Sequence, residues 1–97
     1  MVDLLRKRNI EENTLVIFTS DNGPWYEGNP GVFRGREGQM PEGGFRVPFI
    51  ARWPARIPFN AVCKAVAMNP YLFPTLCELA GLKLPEDRTI DGICSGF

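Results

Sequence analysis

Asp21 and Asn22 are the residues of this 97-residue chain whose types and position most directly indicate chemistry. They follow the apolar run at residues 15–18, and Gly23 comes directly after them. Hard cations such as calcium take oxygen ligands, and a carboxylate beside a carboxamide supplies two of them. Asp-Asn-Gly is also a common turn sequence, so residue chemistry alone favours a plain turn over a metal site.

A second group of chemically capable residues is a set of arginines in and after the glycine-rich segment. A guanidinium presents paired donors to an oxyanion such as sulfate, although a single arginine is more typical of a structural ion pair. The set comprises Arg34, Arg36, Arg46, Arg52 and Arg56. Glu42, with Gly43 and Gly44, is interpreted as a tight structural turn that orders this loop.

Composition excludes several classes of function. Eleven Lys plus Arg balance eleven Asp plus Glu, which argues against bulk electrostatic binding to nucleic acid. Histidine is absent, which removes Ser-His and Cys-His nucleophile pairs and His-ligated zinc. The three cysteines are an odd number without metal-ligand spacing, and apolar stretches fall far short of the roughly 20 residues that cross a bilayer.

The elements that must position these residues follow from apolar patterning. The run at 15–18 does not alternate with polar residues, which predicts a strand buried on both faces of a parallel sheet, with Asp21 and Asn22 at its carboxyl end. Residues 23–48 form a long glycine- and proline-rich loop. The other predicted elements are a helix at 2–8, a strand at 47–53, a short strand at 61–68, and a helix from Asn69-Pro70 to Gly81 with 72, 76, 79 and 80 on one face.

Two such strands and two short helices cannot cover both faces of a parallel sheet. The pattern therefore indicates that another polypeptide, or another part of a larger domain, completes the sheet.

Six motifs in a fixed order make the prediction specific. The chain resembles, over residues 2–92, the C-terminal portion of the catalytic domain of a type I sulfatase of the arylsulfatase group. The motifs are Phe-Thr-Ser-Asp-Asn-Gly-Pro at 18–24, Phe-Arg-Gly-Arg-Glu-Gly at 33–38, Glu-Gly-Gly-Phe-Arg-Val-Pro at 42–48, Arg-Trp-Pro at 52–54, Leu-Phe-Pro-Thr-Leu at 72–76, and Leu-Ala-Gly at 79–81 followed by Leu-Pro-Glu-Asp-Arg and Ile-Asp-Gly.

That resemblance implies an alkaline-phosphatase-like α/β fold, a sandwich with a mostly parallel sheet flanked by helices, that hydrolyses sulfuric esters. The nucleophile of such enzymes is a formylglycine made from a Cys/Ser-x-Pro-x-Arg motif and held against calcium, and Asp21 and Asn22 fall on the last two calcium ligands. No cysteine or serine of this chain begins that motif, so catalytic residues are expected upstream. We expect an incomplete calcium site, and an isolated chain that is inactive until the N-terminal part of the domain completes it.

The chain departs from the family at two positions. Many members carry a lysine that contacts the sulfate five residues before the glutamate of Glu-Gly-Gly, and this chain has Glu37 there. Arg36 is the neighbouring residue that would have to take over the sulfate contact. Tyr71 replaces a usual aspartate, which we interpret as a tolerated change at a helix start.

Two alternatives stay open from the sequence. One is a related phosphodiesterase or phosphonate hydrolase, although such relatives generally use histidine ligands. The other is a non-catalytic module that binds a sulfated glycan or a protein. The resemblance implies a sulfate ester as the partner, and the balanced charge and short apolar stretches lead us to expect no nucleic acid and no membrane as partners. Members of the family are typically secreted, periplasmic or lysosomal, and no residue of this chain selects among these compartments.

Overall fold

The computed structural model describes residues 1–94. They divide into two compact units, one formed by Met1–Phe59 and one that begins at Asn60. The first unit contains helix α1 (Val2–Lys7), strand β1 (Val16–Thr19), a 3₁₀ turn (Glu42–Gly44) and strand β2 (Phe49–Arg52). The second contains a 3₁₀ turn (Asn69–Tyr71) and helix α2 (Leu72–Leu79). No helix in residues 1–94 is long and apolar enough to cross a bilayer.

Helix α1 confirms the predicted helix and ends one residue earlier than expected. Asp3 lies in its first turn, whereas Arg6 and Lys7 lie in its last, which places each charge at the favourable end of the helix dipole. Asn9 has a positive φ of 55° and turns the chain away. Thr14 Oγ1 then donates a hydrogen bond to the Ile10 carbonyl oxygen at 2.6 Å, which holds the approach to β1.

Strands β1 and β2 confirm both main strand predictions, but they pair antiparallel. Val16 lies opposite Arg52, and Thr19 lies opposite Phe49. The expected mostly parallel sheet is therefore not what these two strands form. An antiparallel pair needs only a reversal of the chain, whereas parallel neighbours need a crossover, and the segment between β1 and β2 contains no α-helix.

Burial of the sheet differs from the expectation of a strand covered on both faces. Phe18 is 63% exposed and its cross-strand partner Ile50 is 60% exposed. Among residues 1–94, Trp53 is the single buried hydrophobic side chain. Within the first unit no layer covers the apolar side of β1 and β2, so the apolar run forms a strand but not a buried core.

The second unit confirms the predicted helix and its end. Pro70 lies in the 3₁₀ turn, and α2 begins at Leu72 with Pro74 in its first turn, where a missing N–H costs no helical hydrogen bond. Gly81 follows the helix with φ of 68°, the left-handed conformation that glycine adopts without strain.

Of the residues predicted to share one face of α2, Leu72 and Leu79 are half-buried, whereas Leu76 and Ala80 are exposed. The buried residues are Pro74 and Thr75, whereas Leu76 is 44% exposed.

The predicted strand at 61–68 is wrong, because these residues are exposed and form no strand. A strand needs a hydrogen-bonded neighbour, and none of the described strands pairs with this segment.

Candidate functional site

Asp21 and Asn22 lie together just past the carboxyl end of β1, as the sequence predicted. Asn22 Nδ2 donates to Asp21 Oδ2 at 3.1 Å, and Ser20 Oγ donates to Asp21 Oδ1 at 3.4 Å. Asp21 is exposed and Asn22 is half-buried. A carboxylate and a carboxamide therefore share one small exposed surface at the strand tip.

Gly23 fixes the backbone directly after this pair. Its N–H donates to the Gly44 carbonyl oxygen at 2.9 Å, so the strand exit is bonded to the turn at 42–44. A Cβ atom at Gly23 would lie 1.9 Å from the Gly43 carbonyl oxygen. Glycine is required here by the close approach of two backbone segments.

The Glu42–Gly44 turn is the structural turn that the sequence predicted. Gly43 N–H donates to the Arg34 carbonyl oxygen at 2.7 Å, and both Gly43 and Gly44 are buried. Arg46 Nη1 lies 3.1 Å from Glu42 Oε2, and its guanidinium stacks 4.5 Å from the centroid of the Phe33 ring. The turn thus ties the residues near 34 to the exit from β1.

Arg36 is bound to backbone rather than standing free at the surface. Its Nη1 donates to the Trp25 carbonyl oxygen at 2.9 Å and to the Gly28 carbonyl oxygen at 2.8 Å, and it also contacts the Tyr26 carbonyl oxygen. Residue patterning gave no signal for this contact, because it depends on how the loop folds. The predicted contact between Arg36 and a sulfate stays a prediction.

Glu37 lies beside the residues that follow the strand tip. Its N–H donates to the Pro24 carbonyl oxygen at 3.1 Å, and the residue is half-buried. The Glu37 carboxylate has no ion pair with any of residues 1–94. An acidic group without a cationic partner therefore occupies the position at which the resemblance implies a lysine.

Two of the remaining arginines of the predicted set make structural contacts through their side chains. Arg52 Nη2 lies 2.8 Å from Glu11 Oε2, and Arg56 stacks 4.6 Å from the centroid of the Trp53 ring. Arg34 is exposed, and its carbonyl oxygen accepts the Gly43 bond. The structure thus does not gather the arginines into one sulfate clamp.

An open cavity of about 390 Å³ lies along the same loop. Its walls are mostly apolar and proline-rich, and Arg46 is the charged residue among them. The lining residues are Pro24, Asn29, Pro30, Gly31, Phe33, Arg46, Val47 and Pro48. The loop therefore forms a concave surface close in sequence to Asn22.

The donor set at the strand tip fits calcium in type but not in number. Calcium prefers six to eight oxygen ligands, and Asp21 and Asn22 offer a carboxylate and a carboxamide oxygen, since the Asn22 amide nitrogen cannot act as a ligand. Residues 1–94 contain no group of three or more His, Cys, Asp or Glu side chains that could hold a metal. The pair accordingly fits part of a calcium site whose other ligands would come from elsewhere.

The cysteines are free thiols in this structure, at Cys63, Cys77 and Cys94. A hydrogen bond with the Glu78 carboxylate, together with desolvation, raises the pKa of Cys94. A raised pKa keeps the thiol protonated, whereas a nucleophilic cysteine needs its thiolate. Cys94 is therefore not set up for nucleophilic chemistry.

Comparison with known proteins identifies sulfatases. The profile of the Sulfatase family matches residues 1–82. Arylsulfatase G of Canis lupus familiaris is 42% identical and aligns with 89% of this chain and 19% of its own length. N-acetylgalactosamine-6-sulfatase of the same organism is 43% identical, over 96% of this chain and 19% of its own length. Human steryl-sulfatase is 38% identical, over 95% and 18% respectively.

A solved structure shows the same likeness in three dimensions. The crystal structure of Ps i-CgsB in complex with k-i-k-neocarrahexaose superposes with a TM-score of 0.89 at 36% identity. The match covers 94% of this chain and 21% of that protein. The chain thus spans about a fifth of the length of the relatives that it matches.

Proposed function

Because this chain belongs to the sulfatase family, as its motif order predicted, we propose that it forms the C-terminal part of the catalytic domain of a calcium-dependent sulfuric ester hydrolase. The observation that carries the proposal is the contact between Asp21 and Asn22 at the carboxyl end of β1. A sulfatase fold needs oxygen ligands for calcium, and this pair supplies two of them.

In the proposed enzyme Asp21 and Asn22 hold one side of the cation, and Gly23 keeps the strand exit tight against the 42–44 turn. When bound, calcium supplies positive charge for the sulfate oxygens and for the formylglycine nucleophile. The Asn22 amide, which now donates to Asp21, would rotate so that its carbonyl oxygen faces the cation, since only oxygen can act as a ligand.

The loop that carries Arg36 and Glu37 forms part of the substrate mouth in this proposal. Support comes from its position directly after the calcium ligands, from the bond between Glu37 N–H and the Pro24 carbonyl oxygen, and from the open cavity on its surface. The substrate is a sulfate ester. The nucleophile and the remaining calcium ligands belong to other parts of the domain, so the isolated chain is expected to show no turnover.

Exposed apolar residues on the sheet support a role for the rest of the domain. Phe18 and Ile50 form a cross-strand pair that is more than half exposed on each strand. Covering such a pair with apolar side chains is favourable by about 25 cal/mol per Å² of apolar surface removed from water. We therefore expect the N-terminal part of the domain to pack here and to complete the sheet.

A chimera tests the proposal directly. In this chimera the chain replaces the matching segment of canine Arylsulfatase G, and turnover of an aryl sulfate and calcium content are measured together. Asp21→Asn keeps an oxygen ligand but removes its charge. Changing a residue that contacts a metal ligand, but not the metal, lowers affinity by roughly 10- to 100-fold. Because Asp21 is itself a proposed ligand, we expect Asp21→Asn to lower calcium affinity by more than this.

Asp3→Asn is the matched control, because Asp3 is an exposed aspartate of helix α1 outside the proposed metal site. It should leave calcium content and turnover unchanged. A chimera that binds calcium equally well with and without the Asp21 carboxylate would contradict the ligand assignment. Turnover by the isolated 97-residue chain, lost on Asp21→Asn, would contradict the requirement for the upstream part.

Glu37 favours a second candidate function, a non-catalytic module that binds sulfated glycans. Its carboxylate, which forms no ion pair within residues 1–94, stands where many family members carry a lysine that contacts the sulfate. A chimera that binds a sulfated glycan but does not turn over an aryl sulfate would support that candidate. Zinc or manganese in place of calcium in the full-length protein would instead indicate a phosphodiesterase or phosphonate hydrolase relative.

A further inference from the structure

Three carbonyl oxygens of the segment that follows Asn22 converge on one nitrogen atom of Arg36. Arg36 Nη1 lies 2.9 Å from the Trp25 oxygen and 2.8 Å from the Gly28 oxygen, and it also donates to the Tyr26 oxygen. The same segment is closed by the Gly28 N–H, which donates to the Trp25 oxygen at 2.9 Å. Hydrogen bonds from a charged donor are stronger than neutral ones, so this contact fixes the turn at 25–28.

The backbone of Arg36 is itself held in place. Its N–H donates to Gln39 Oε1 at 3.0 Å, and the Gln39 N–H donates back to the Arg36 carbonyl oxygen at 3.0 Å. A Cβ atom at Gly44 would lie 2.5 Å from the Arg36 carbonyl oxygen, so the buried glycine turn packs directly against this residue. The backbone of Arg36 is therefore held by Gln39 and the glycine turn, and its guanidinium in turn holds the turn at 25–28.

From these contacts we propose that Arg36 is a positioning residue of the sulfatase site. It holds the segment between Asn22 and Glu37 in the shape that presents the strand-tip oxygens to a cation and Glu37 to the substrate. The inference rests on the proposed function for what the segment presents, whereas the contacts of Arg36 stand without it. Arg36 acts through the turn and not as a sulfate ligand.

Arg36→Met and Arg34→Met each remove one positive charge, so comparing them separates this role from a general need for positive charge. All three carbonyl oxygens surround one nitrogen that carries two N–H groups, so one N–H is shared between two oxygens, whereas a lysine ammonium presents three donors at one atom. Arg36→Lys should therefore restore part of the contact, whereas Arg36→Met keeps a long side chain without donors. Arg34→Met is a matched control, since Arg34 is an exposed arginine two residues away without a side-chain hydrogen bond or ion pair within residues 1–94.

The test uses amide hydrogen exchange, measured by NMR on the full 97-residue chain. The reporters are the amides of Gly28 and Glu37, which donate to the Trp25 and Pro24 oxygens, and the amides of β1 and β2 serve as the reference. Arg36→Met should lower the protection of both reporters by about tenfold or more, because charged hydrogen bonds are lost. Arg36→Lys should recover a substantial part of that protection, and Arg34→Met should match the wild type.

Unchanged protection in Arg36→Met would overturn the proposal. Equal loss of protection at the Gly28 and Glu37 amides in Arg36→Lys and Arg36→Met would also overturn it. The same conclusion holds if the amides of β1 and β2 lose protection as well. A titration with inorganic sulfate separates the two roles: sulfate binding that disappears in Arg36→Met while both reporters keep their protection would make Arg36 a ligand. Failure of the chimera to bind calcium would affect only the proposed function, since the exchange measurement needs neither metal nor turnover.

Discussion

Arg52 Nη2 lies 2.8 Å from Glu11 Oε2, so the end of β2 is tied by an ion pair to the turn that precedes β1. Arg6 Nε approaches the other carboxylate oxygen at 3.3 Å. One residue further along each segment, Trp53 Nε1 donates to the Glu12 carbonyl oxygen at 3.0 Å. These contacts join α1, the turn and β2, and they hold in place the strand that delivers the candidate metal ligands.

The Glu11 ion pair predicts a specific pH dependence of stability. The hydrogen bond from Arg52, with further lowering from Arg6, holds the pKa of Glu11 below its ordinary value. The unfolded chain therefore binds this proton more readily than the folded chain. The contribution of Glu11 is complete above the ordinary glutamate pKa, about 4.3, and is lost as the pH falls through the lower folded value.

Urea unfolding of the wild-type chain and of Glu11→Gln measures this effect. The gap between their midpoints should be widest near neutral pH and should narrow as the pH falls below about 4.3. Glu12→Gln is the matched control, because Glu12 takes part through its backbone carbonyl oxygen. A gap for Glu11→Gln that stays constant down to the lowest pH would show that the ion pair does not contribute.

Trp53 is predicted to dominate the stability of the first unit. Trp53→Phe keeps most of the ring but loses the bond to the Glu12 oxygen, which should cost about 1 kcal/mol. Trp53→Ala also removes the buried ring and should cost about 3 to 5 kcal/mol. Trp25→Phe is the control, because Trp25 is 60% exposed, and its effect should stay within about 0.5 kcal/mol. Equal effects at the two tryptophans in urea unfolding would contradict this ranking.

Gly43 is predicted to be irreplaceable because of backbone crowding. A Cβ atom there would lie 2.3 Å from the Gly35 oxygen and 2.7 Å from the Arg34 oxygen, and neither backbone oxygen can move as a flexible side chain would. Gly43→Ala should therefore disrupt the bond from Gly23 N–H to the Gly44 oxygen and expose the Gly23 amide to exchange.

Gly31→Ala is the comparison, since no atom lies within 4 Å of its added Cβ. Its φ of 66° still makes alanine unfavourable, by roughly 1 to 2 kcal/mol, but only locally. Amide exchange at Gly23 should thus rise in Gly43→Ala and stay near the wild-type rate in Gly31→Ala. Equal exchange in both variants would show that strain, and not crowding, governs the turn.

Local sequence signals predicted the elements better than their surroundings. The apolar run before Asp21 identified β1, and Gly81 marked the end of α2, because patterning and capping are properties of neighbouring residues. Antiparallel pairing and the exposure of Phe18 were not predicted, since both depend on which distant segments lie beside the strand. The incorrect strand at 61–68 has the same cause, because apolar residues form a strand only where a partner strand exists.

The candidate site divides in the same way. Asp21 and Asn22 are adjacent in the chain, so their contact at the strand tip followed from the sequence. The Glu42–Gly44 turn was also predictable, because its glycines form one contiguous motif. The binding of Arg36 to the 25–28 turn was not, since it joins residues eight to eleven positions apart through backbone oxygens that carry no sequence identity.

Glu37 is predicted to limit catalysis in the complete enzyme. A carboxylate about 4 Å from a sulfate opposes its binding by on the order of 1 kcal/mol in water and about 4 kcal/mol at an effective dielectric near 20. In the Arylsulfatase G chimera, Glu37→Gln should raise turnover of an aryl sulfate by removing the repulsion. Glu37→Lys should raise it further, because the added ammonium attracts the sulfate. Inhibition by inorganic sulfate should strengthen in the same order, and the Arg34→Lys variant, which keeps the charge, should change neither. Turnover that falls in both Glu37 variants would instead give the carboxylate a positive role at the substrate mouth.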